Sequence, residues 1–377
     1  MMIKTLLVAN SDWYLYNFRF SLIKKLREIG YDPILVSPEG SYVKLFQREE
    51  IPHIAWHLDR KSINPFKELQ AIFEIKKIYR QQHPCLVHHH TNKPVLYGTI
   101  AAQSLEIPVI NSISGMGYVF TSHTLKARII RPFLQLCFRR SFNSRERLEF
   151  IFENRSDQAF FIDKMSVTPA HTTLIPSVGV DLARFDNTPP PETNRPVVAF
   201  IGRLLWSKGV GVFAAAARLL KEQRIPCRMV LVGLPDTNNP DYIPTSSVEG
   251  WVKEGILEWW GWQDDMNEVY QKIDILAQPT QYGEGVPTTL IEAAASRRAL
   301  IASDWPGCRE VITHAHTGLL VQPGDIEDLA EKITTLISNP ALRTELAEKA
   351  FHLVRENFST DRVNQATLEV YKKLLAA

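Results

Sequence analysis

The chain opens on a compact apolar run in "IKTLLVAN" that breaks into polar residues, the pattern of a buried strand. "YNFRFSLIKKLREIG" then places apolar residues at helical spacing and closes on Gly30, and "YDPILVSP" forms a second strand. The rhythm continues with a helix near 66–82, a strand at "CLVHHH", a helix near 94–105 and a strand at "PVINSIS". From about Leu125 to Phe152 the pattern predicts a long, strongly basic helical region. A stiff polar stretch, "TPPPETNRP" at 188–196, interrupts the alternation and reads as a linker. After it the rhythm restarts: "VVAFIG" is a strand, "GVGVFAAAARLLKEQ" a helix and "RMVLVG" a strand. "ILEWWGW", "IDILAQP", "ALIAS" and "TGLLVQ" supply further strand candidates.

Strands alternating with helices imply parallel sheets covered on both faces. The expected fold class is therefore α/β, with two doubly wound, Rossmann-like domains. The first spans 1–187 and the second 188–355, while a final helix at 356–377 crosses back to the first domain. Ligands of such sheets sit beyond the strand C-termini, so an interdomain cleft is the expected place for chemistry.

Composition narrows the class. A chain of 377 residues is too long for one ordinary core, and 45% apolar with 22% charged residues is an ordinary globular balance. Residues 1–190 hold 24 Lys and Arg against 17 Asp and Glu, whereas residues 191–377 hold 19 against 24. One half is basic and the other acidic, so the two are expected to meet different partners. Cys85, Cys137, Cys227 and Cys308 are scattered without paired spacing, as in a reducing compartment. The first residues lack a signal peptide's apolar core, and no apolar run approaches the roughly 20 residues that span a bilayer. A cytoplasmic protein, peripheral to the inner face of the membrane, is expected.

The candidate chemistry begins at "QYGEGVPTTLIEAAA", where Glu284 and Glu292 stand among glycine, proline and apolar residues. Pro287 suits the first helical position, which leaves the amides of Thr288, Thr289 and Leu290 free to receive an anion. Glu292 lies roughly one and a half turns inside, at about 1.5 Å per residue, and leans back toward the same ligand. A carboxylate so placed can accept hydrogen bonds from two vicinal hydroxyls, as a ribose offers. The alternative is that Glu284 caps the helix and Glu292 pairs with Arg297 or Arg309. The second site is "IGRLLWSKG", where Arg203 follows Gly202 at a strand end and Lys208 stands at the next helix start. Two cations there suit a diphosphate; two solvated surface cations are the plainer alternative.

"GRLLWSKG" followed by "EGVPTTLIEA" resembles the paired signature of glycosyltransferase family 4, retaining enzymes of the two-domain GT-B fold that use nucleotide sugars. "VGVDLARF", "GWQDDMNEVYQKIDILAQPT" and "PGCREVITHAHTGLLVQPGDIEDLAEKI" extend the likeness over nearly the whole chain. The resemblance implies that Arg203 and Lys208 bind the donor diphosphate and Glu292 the ribose. It implies that Glu284, with the amides of Gly285 and Val286, holds the transferred sugar, while Thr288, Thr289 and Leu290 offer amides to the phosphates. Backbone near Trp260 to Trp262 would face the base; the tryptophans themselves are otherwise core.

The first half departs from the family pattern. It has "ANSDWYLYNFRF" where many members carry a glycine pair, and Ser114 with Gly115 in "NSISGMGYVF" where members often carry a histidine. "SDWYLYNFR", "HHHTNKP" and "NSISGMGYVF" together resemble a subgroup that transfers N-acetylgalactosamine, galactose or N-acetylglucosamine to lipid-linked glycans in bacterial surface-polysaccharide assembly. Asn17, Arg19, His90, Lys93, Ser114 and Gly115 are the acceptor-side candidates, with Lys93 a phosphate contact. The histidine run lacks the converging partners of a zinc site, and no Asp-x-Asp pair is present, so no metal and no other cofactor is expected beside the UDP-sugar.

The run from Lys126 to Arg147 holds seven Lys and Arg against one Glu, interleaved with Ile129, Ile130, Phe133, Leu134, Leu136 and Phe138. A basic amphipathic helix of this kind suits an anionic membrane surface, through Lys126, Arg128, Arg131, Arg139 and Arg140. A core helix with a solvated basic face is the alternative, and no nucleic-acid module accompanies the charge. The expected activity is transfer of a hexose or N-acetylhexosamine from a UDP donor to a polyprenyl-diphosphate-linked glycan with retention. A UDP-sugar epimerase of the same fold, or a silent nucleotide-sugar-binding subunit, is the alternative.

Overall fold

A computed structural model describes residues 3–60, 62, 64–116, 120, 125–142, 147–185, 195–237, 239–283 and 285–376, with the backbone alone for 125–127. The chain forms two compact units, Met1–Val178 with Asp361–Ala377, and Gly179–Thr360.

In the first unit the order is β1 (Ile3–Val8), α1 (Asp12–Glu28), β2 (Tyr31–Ser37), α2 (Val43–Arg48), β3 (His53–Ala55), α3 (Pro65–Gln82), β4 (Leu86–His90), α4 (Asn92–Gln103), β5 (Val109–Ile113), α5 (Leu125–Phe142), β6 (Leu148–Phe152), α6 (Arg155–Met165) and β7 (Thr172–Leu174). Among the described residues these strands make a parallel sheet in the order β3-β2-β1-β4-β5-β6-β7. The topology reverses between β1 and β4, and ligands of such sheets lie beyond the strand ends at that point. Alternate strand residues bury against α3, α4, α5 and α6 on one face and against α1 and α2 on the other.

The second unit contains α7 (Leu182–Phe185), β8 (Val197–Ile201), α8 (Val210–Glu222), β9 (Arg228–Val232), α9 (Thr245–Lys253), β10 (Glu258–Gly261), α10 (Met266–Gln271), β11 (Ile275–Gln278), α11 (Thr288–Ala295), β12 (Ala299–Ser303), α12 (Pro306–Arg309), β13 (Leu319–Val321), α13 (Ile326–Ser338) and α14 (Pro340–Asn357). Its parallel sheet runs β10-β9-β8-β11-β12-β13 and reverses between β8 and β11. The last helix, α15 (Thr360–Ala376), packs onto the first unit, where Tyr371 Oη lies 2.8 Å from His88 Nδ1.

Two expectations meet different structure. The basic region does not stay helical to Phe152. Its last five residues form β6, fully buried, with Leu148, Phe150 and Phe152 on one face and Ile151 on the other. An alternation only five residues long was hidden beneath the helical spacing of the residues before it. The second unit begins before the proline-rich stretch, because Val180 donates its N–H to the Phe358 carbonyl at 2.8 Å and Phe185 packs on Tyr270. Most of that stretch, 188–194, lies outside the described residues.

Candidate active site

The loops that leave β8 and β11 flank the reversal of the second sheet, and they carry the two motifs singled out above. They are bound to each other. Gln281 donates its N–H to the Ser207 carbonyl at 2.8 Å, and Lys208 Nζ lies 5.8 Å from the centre of the Tyr282 ring. Gly209 caps α8 with φ +82°, and a Cβ there would overlap the Pro279 carbonyl. Only glycine permits both the left-handed backbone and this approach. The β8 loop is also held from its other side, where Ser207 donates its N–H to Asp241 Oδ2 at 2.8 Å.

Beside it, Gly202 and Gly233 end β8 and β9, and a Cβ on Gly233 would overlap the Gly202 carbonyl. The strand ends therefore form a low platform of bare backbone. Arg203 rises from it, half-exposed, with Nη1 3.0 Å from Asp236 Oδ2. Trp259 and Trp260 pack against the two opposite faces of the unit, and Trp262 is exposed, its indole N–H donated to Asp264. Two of the three tryptophans are thus core-packed.

Gly285 and Val286 are buried, and α11 starts at Thr288 with Pro287 as its cap. Pro287 thus stands one place outside the helix. Its carbonyl accepts the Leu290 N–H at 3.1 Å, so Leu290 does not offer a free amide as expected. The Thr288 and Thr289 N–H groups have no carbonyl to pair with inside the helix. Glu292 sits on the next turn and accepts the Tyr270 hydroxyl at 2.9 Å. Burial pushes its carboxyl up to about 7, against smaller opposing effects of Tyr270 and Arg184. This replaces the alternative of an ion pair: Arg309 pairs with Asp304, and Arg297 lies 3.3 Å from Glu348. Glu284 lies outside the described residues.

The first unit's reversal carries a second polar group. Arg19 on α1 is buried, donates from Nε to His90 Nδ1 at 3.2 Å and from Nη2 to Tyr14 at 3.1 Å. Because Nδ1 accepts, a neutral His90 carries its proton on Nε2, which is buried without a hydrogen-bond partner among the described residues. Burial and then the neighbouring His88 and Arg19 hold His90 well below the usual histidine range. His88 shares its face, with ring centres 4.0 Å apart, while His89 turns away to Tyr79 and Asn111. Among the described residues no group of three or more His, Cys, Asp or Glu converges as metal ligands would.

Ser114 and Gly115 lie half-buried just past β5, and Asn17 is exposed on α1, bonded to the Trp13 carbonyl. Lys93 is elsewhere engaged. Its ammonium donates to the Asp59 and Ser62 carbonyls, both at 2.8 Å, and to the Glu68 carboxylate at 2.8 and 2.9 Å. All its donors are used inside the unit, so it clamps the start of α3 to α4 and does not serve as the expected phosphate contact.

Of the basic helix residues, Arg128, Arg139 and Arg140 are exposed and Arg131 half-buried, while the Lys126 side chain lies outside the described residues. Arg139 donates to the Lys164 carbonyl at 2.8 Å.

Several residues that build these sites escaped the sequence reading. Asp12, at the start of α1, is buried, accepts the Trp13 and Tyr42 N–H groups at 2.8 Å, and fills the space that Gly40 leaves beside it. Asp236 and Tyr270 hold Arg203 and Glu292. The available signal for Asp236 was an acidic residue just past an apolar strand; nothing local marked Tyr270.

With this geometry in view, the relatives are informative. The family model described as "Glycosyl transferases group 1" matches residues 183–353, and that described as "Glycosyl transferase 4-like" matches residues 4–144. The chain is 28% identical over 374 residues to the N,N'-diacetylbacillosaminyl-diphospho-undecaprenol alpha-1,3-N-acetylgalactosaminyltransferase of Campylobacter jejuni, covering 96% of each. Its fold matches a glycosyltransferase from Rickettsia africae with a TM-score of 0.79 at 21% identity, covering 99% of each chain. It also matches Anabaena Alr3699/HepE in complex with UDP, at 0.79 and 18%, covering 98% of this chain and 99% of that one.

Proposed function

Since the chain belongs to glycosyltransferase family 4, with two doubly wound domains of the GT-B class, we propose that it moves an N-acetylhexosamine or hexose from a UDP-sugar to a polyprenyl-diphosphate-linked glycan, with retention, in bacterial surface-glycan assembly. The observation that carries this reading is the joining of the two motif loops beyond β8 and β11. It gathers Arg203, Lys208, the start of α11 and Glu292 on one edge of one sheet. Full-length similarity to an enzyme named for a diphospho-undecaprenol acceptor and an alpha linkage supports the choice of acceptor and stereochemistry.

On this reading the UDP diphosphate lies over the glycine platform, with the Thr288 and Thr289 amides and the two cations around it. Glu292 accepts hydrogen bonds from the ribose hydroxyls, and Glu284 with the Gly285 and Val286 amides holds the sugar. The bond from the sugar's C1 to the phosphate oxygen breaks, its electron pair leaving on the diphosphate. An acceptor hydroxyl bonds C1 on the same face, and its proton passes to the departing phosphate. Arg203 and Lys208 stabilise the charge that develops on that phosphate, the work a divalent ion does elsewhere, so no metal is required. His90, Arg19, Ser114 and Gly115 stand as acceptor contacts. The basic helix α5 brings the enzyme to the membrane that holds the acceptor, at the cytoplasmic face where nucleotide sugars are available.

The test pairs a panel of UDP-sugars with undecaprenyl-diphosphate-linked saccharides, in buffer with and without EDTA, and reads products by mass. A single-sugar extension insensitive to EDTA is expected. Conversion of a UDP-sugar without acceptor, or loss of turnover on chelation, would overturn the respective part.

A further inference from the structure

Arg19 is the one arginine that the first unit buries among the described residues, with 6% of its surface exposed. The groups it meets, His90 Nδ1 at 3.2 Å and the Tyr14 hydroxyl at 3.1 Å, are neutral, and among the described residues no Asp or Glu forms an ion pair with it. The side chains next in line are neutral as well: His88 is bonded to Ser112 and Tyr371, all three buried. A guanidinium does not shed its proton, so a buried one without a counter-ion is destabilising until an anion comes near it.

His90 carries a second uncompensated group. Because Arg19 holds its Nδ1 as an acceptor, the ring proton sits on Nε2, and that N–H is buried without a partner among the described residues. One ligand removes both defects. An anionic oxygen accepts the Nε2–H bond and balances the guanidinium across the ring, whereas a sugar hydroxyl satisfies the N–H alone. The strand register shows where such a ligand would enter. His88 Nε2 lies 2.7 Å from Ser112 Oγ, and Ser112 stands two residues beyond Ile110, the strand partner of His88. The same step from His90, whose partner is Ser112, leads to Ser114, which is half-buried, as is Gly115 after it. The register thus sets the buried donor beside residues that reach solvent. His88, held at its other nitrogen by Tyr371, packs on the His90 ring with centres 4.0 Å apart and limits its rotation.

We infer that the carboxyl end of β4 is a phosphate-binding subsite of the first unit, in which His90 donates from Nε2 to a phosphate oxygen and Arg19 is a positioning residue that acts through it. Arg19 fixes the histidine's tautomer and supplies positive charge without touching the ligand. It takes the part that Lys93 cannot, since the Lys93 ammonium is used on Asp59, Ser62 and Glu68. In this arrangement His90 is a donor and not a base, because the one ring lone pair it keeps when neutral is held by Arg19. The choice of phosphate among anions rests on the function proposed above, in which both substrates carry a diphosphate; the acceptor and the UDP-sugar are its two sources. The subsite itself is measured without any sugar transfer.

Isothermal titration of the full chain with farnesyl diphosphate, with UDP and with uncharged farnesol tests the subsite. His90→Ala removes the donor, Arg19→Gln keeps a donor to Nδ1 without the charge, and Arg19→Lys keeps the charge. His90→Ala and Arg19→Gln are each expected to weaken at least one of the two diphosphates about tenfold to a hundredfold and to leave farnesol unchanged. Arg19→Lys is expected to recover part of that loss, as a purely structural role would not. A loss confined to farnesyl diphosphate assigns the subsite to the acceptor, and one confined to UDP assigns it to the donor. An equal loss for farnesol, or unchanged affinity for both diphosphates in variants that melt like the unaltered chain, overturns the inference. Should a variant fail to fold, nitrogen NMR of the unaltered chain with isotope-labelled histidine decides. The His90 ring is expected as the Nε2–H tautomer, with a resonance that shifts when one of the diphosphates is added; the Nδ1–H tautomer, or no shift with either ligand, overturns the subsite. Diphosphate binding at His90 without sugar transfer to any acceptor would count against the proposed function alone.

Discussion

Glu292 is the residue whose chemistry differs most from its surroundings. Burial holds its carboxyl at about 7 although Tyr270 donates to it. Its pKa is raised on folding, so between its ordinary value and 7 the folded chain binds more protons than the unfolded one, and its contribution to stability falls as pH rises through that window. Binding runs the other way. Hydroxyls donate better to the ionised form, so UDP affinity is expected to rise from pH 6 to pH 8, and Glu292→Gln is expected to flatten that profile; isothermal titration at several pH values reads both. A parallel profile in the variant would remove Glu292 from the ribose. Arg203→Ala and Lys208→Ala are each expected to lower kcat about 10²–10³-fold with melting nearly unchanged, as the removal of one charge-stabilising donor does elsewhere. These three positions were legible because their residue types are unusual where they stand. Asp236 and Tyr270 were not, since an acid and a tyrosine need no special explanation until their partners are seen.

At the scale of elements, the site depends on two loops meeting, and Gly209 is where they meet most closely. Gly209→Ala puts a side chain at φ +82° against the Pro279 carbonyl. A loss of about 2 kcal/mol in unfolding free energy is expected, with a matching fall in activity; denaturant titration measures it, and an unchanged midpoint would mean the loops can part without cost. The helix α5 carries the other element-scale expectation. Arg139 is tied to the Lys164 carbonyl, so Arg140→Glu is the cleaner change, expected to weaken binding to anionic vesicles about tenfold. Most strands of both sheets were readable because long apolar runs bounded by polar turns have few other interpretations; β3 and β7, three residues each, left no such run. Nor was β6 readable, because Leu148–Phe152 follows eighteen helical residues with similar apolar spacing, and its strand character comes from Phe142 and Phe161 packing on Phe150 and Phe152. Likewise Lys93 read as a free cation until Glu68 and two carbonyls from other segments closed around it.

For the whole molecule, the restart of the strand–helix rhythm after the proline-rich stretch already described two doubly wound units. Where the first unit ends was less legible: Val180 joins the second unit by donating its N–H to the Phe358 carbonyl and accepting the Thr360 N–H, and α15 joins the first through Tyr371. Both depend on contacts far apart in sequence, which local patterning cannot carry. The central claim is retaining transfer of one sugar from UDP to a lipid-linked glycan. Its most direct test incubates the full chain with UDP-N-acetylgalactosamine, UDP-N-acetylglucosamine, UDP-galactose or UDP-glucose and an undecaprenyl-diphosphate-linked saccharide, then determines the anomeric configuration of any product by NMR. The account predicts one added sugar in α-linkage, formed only when acceptor is present; a β-linked product, or none with any pairing, would contradict it.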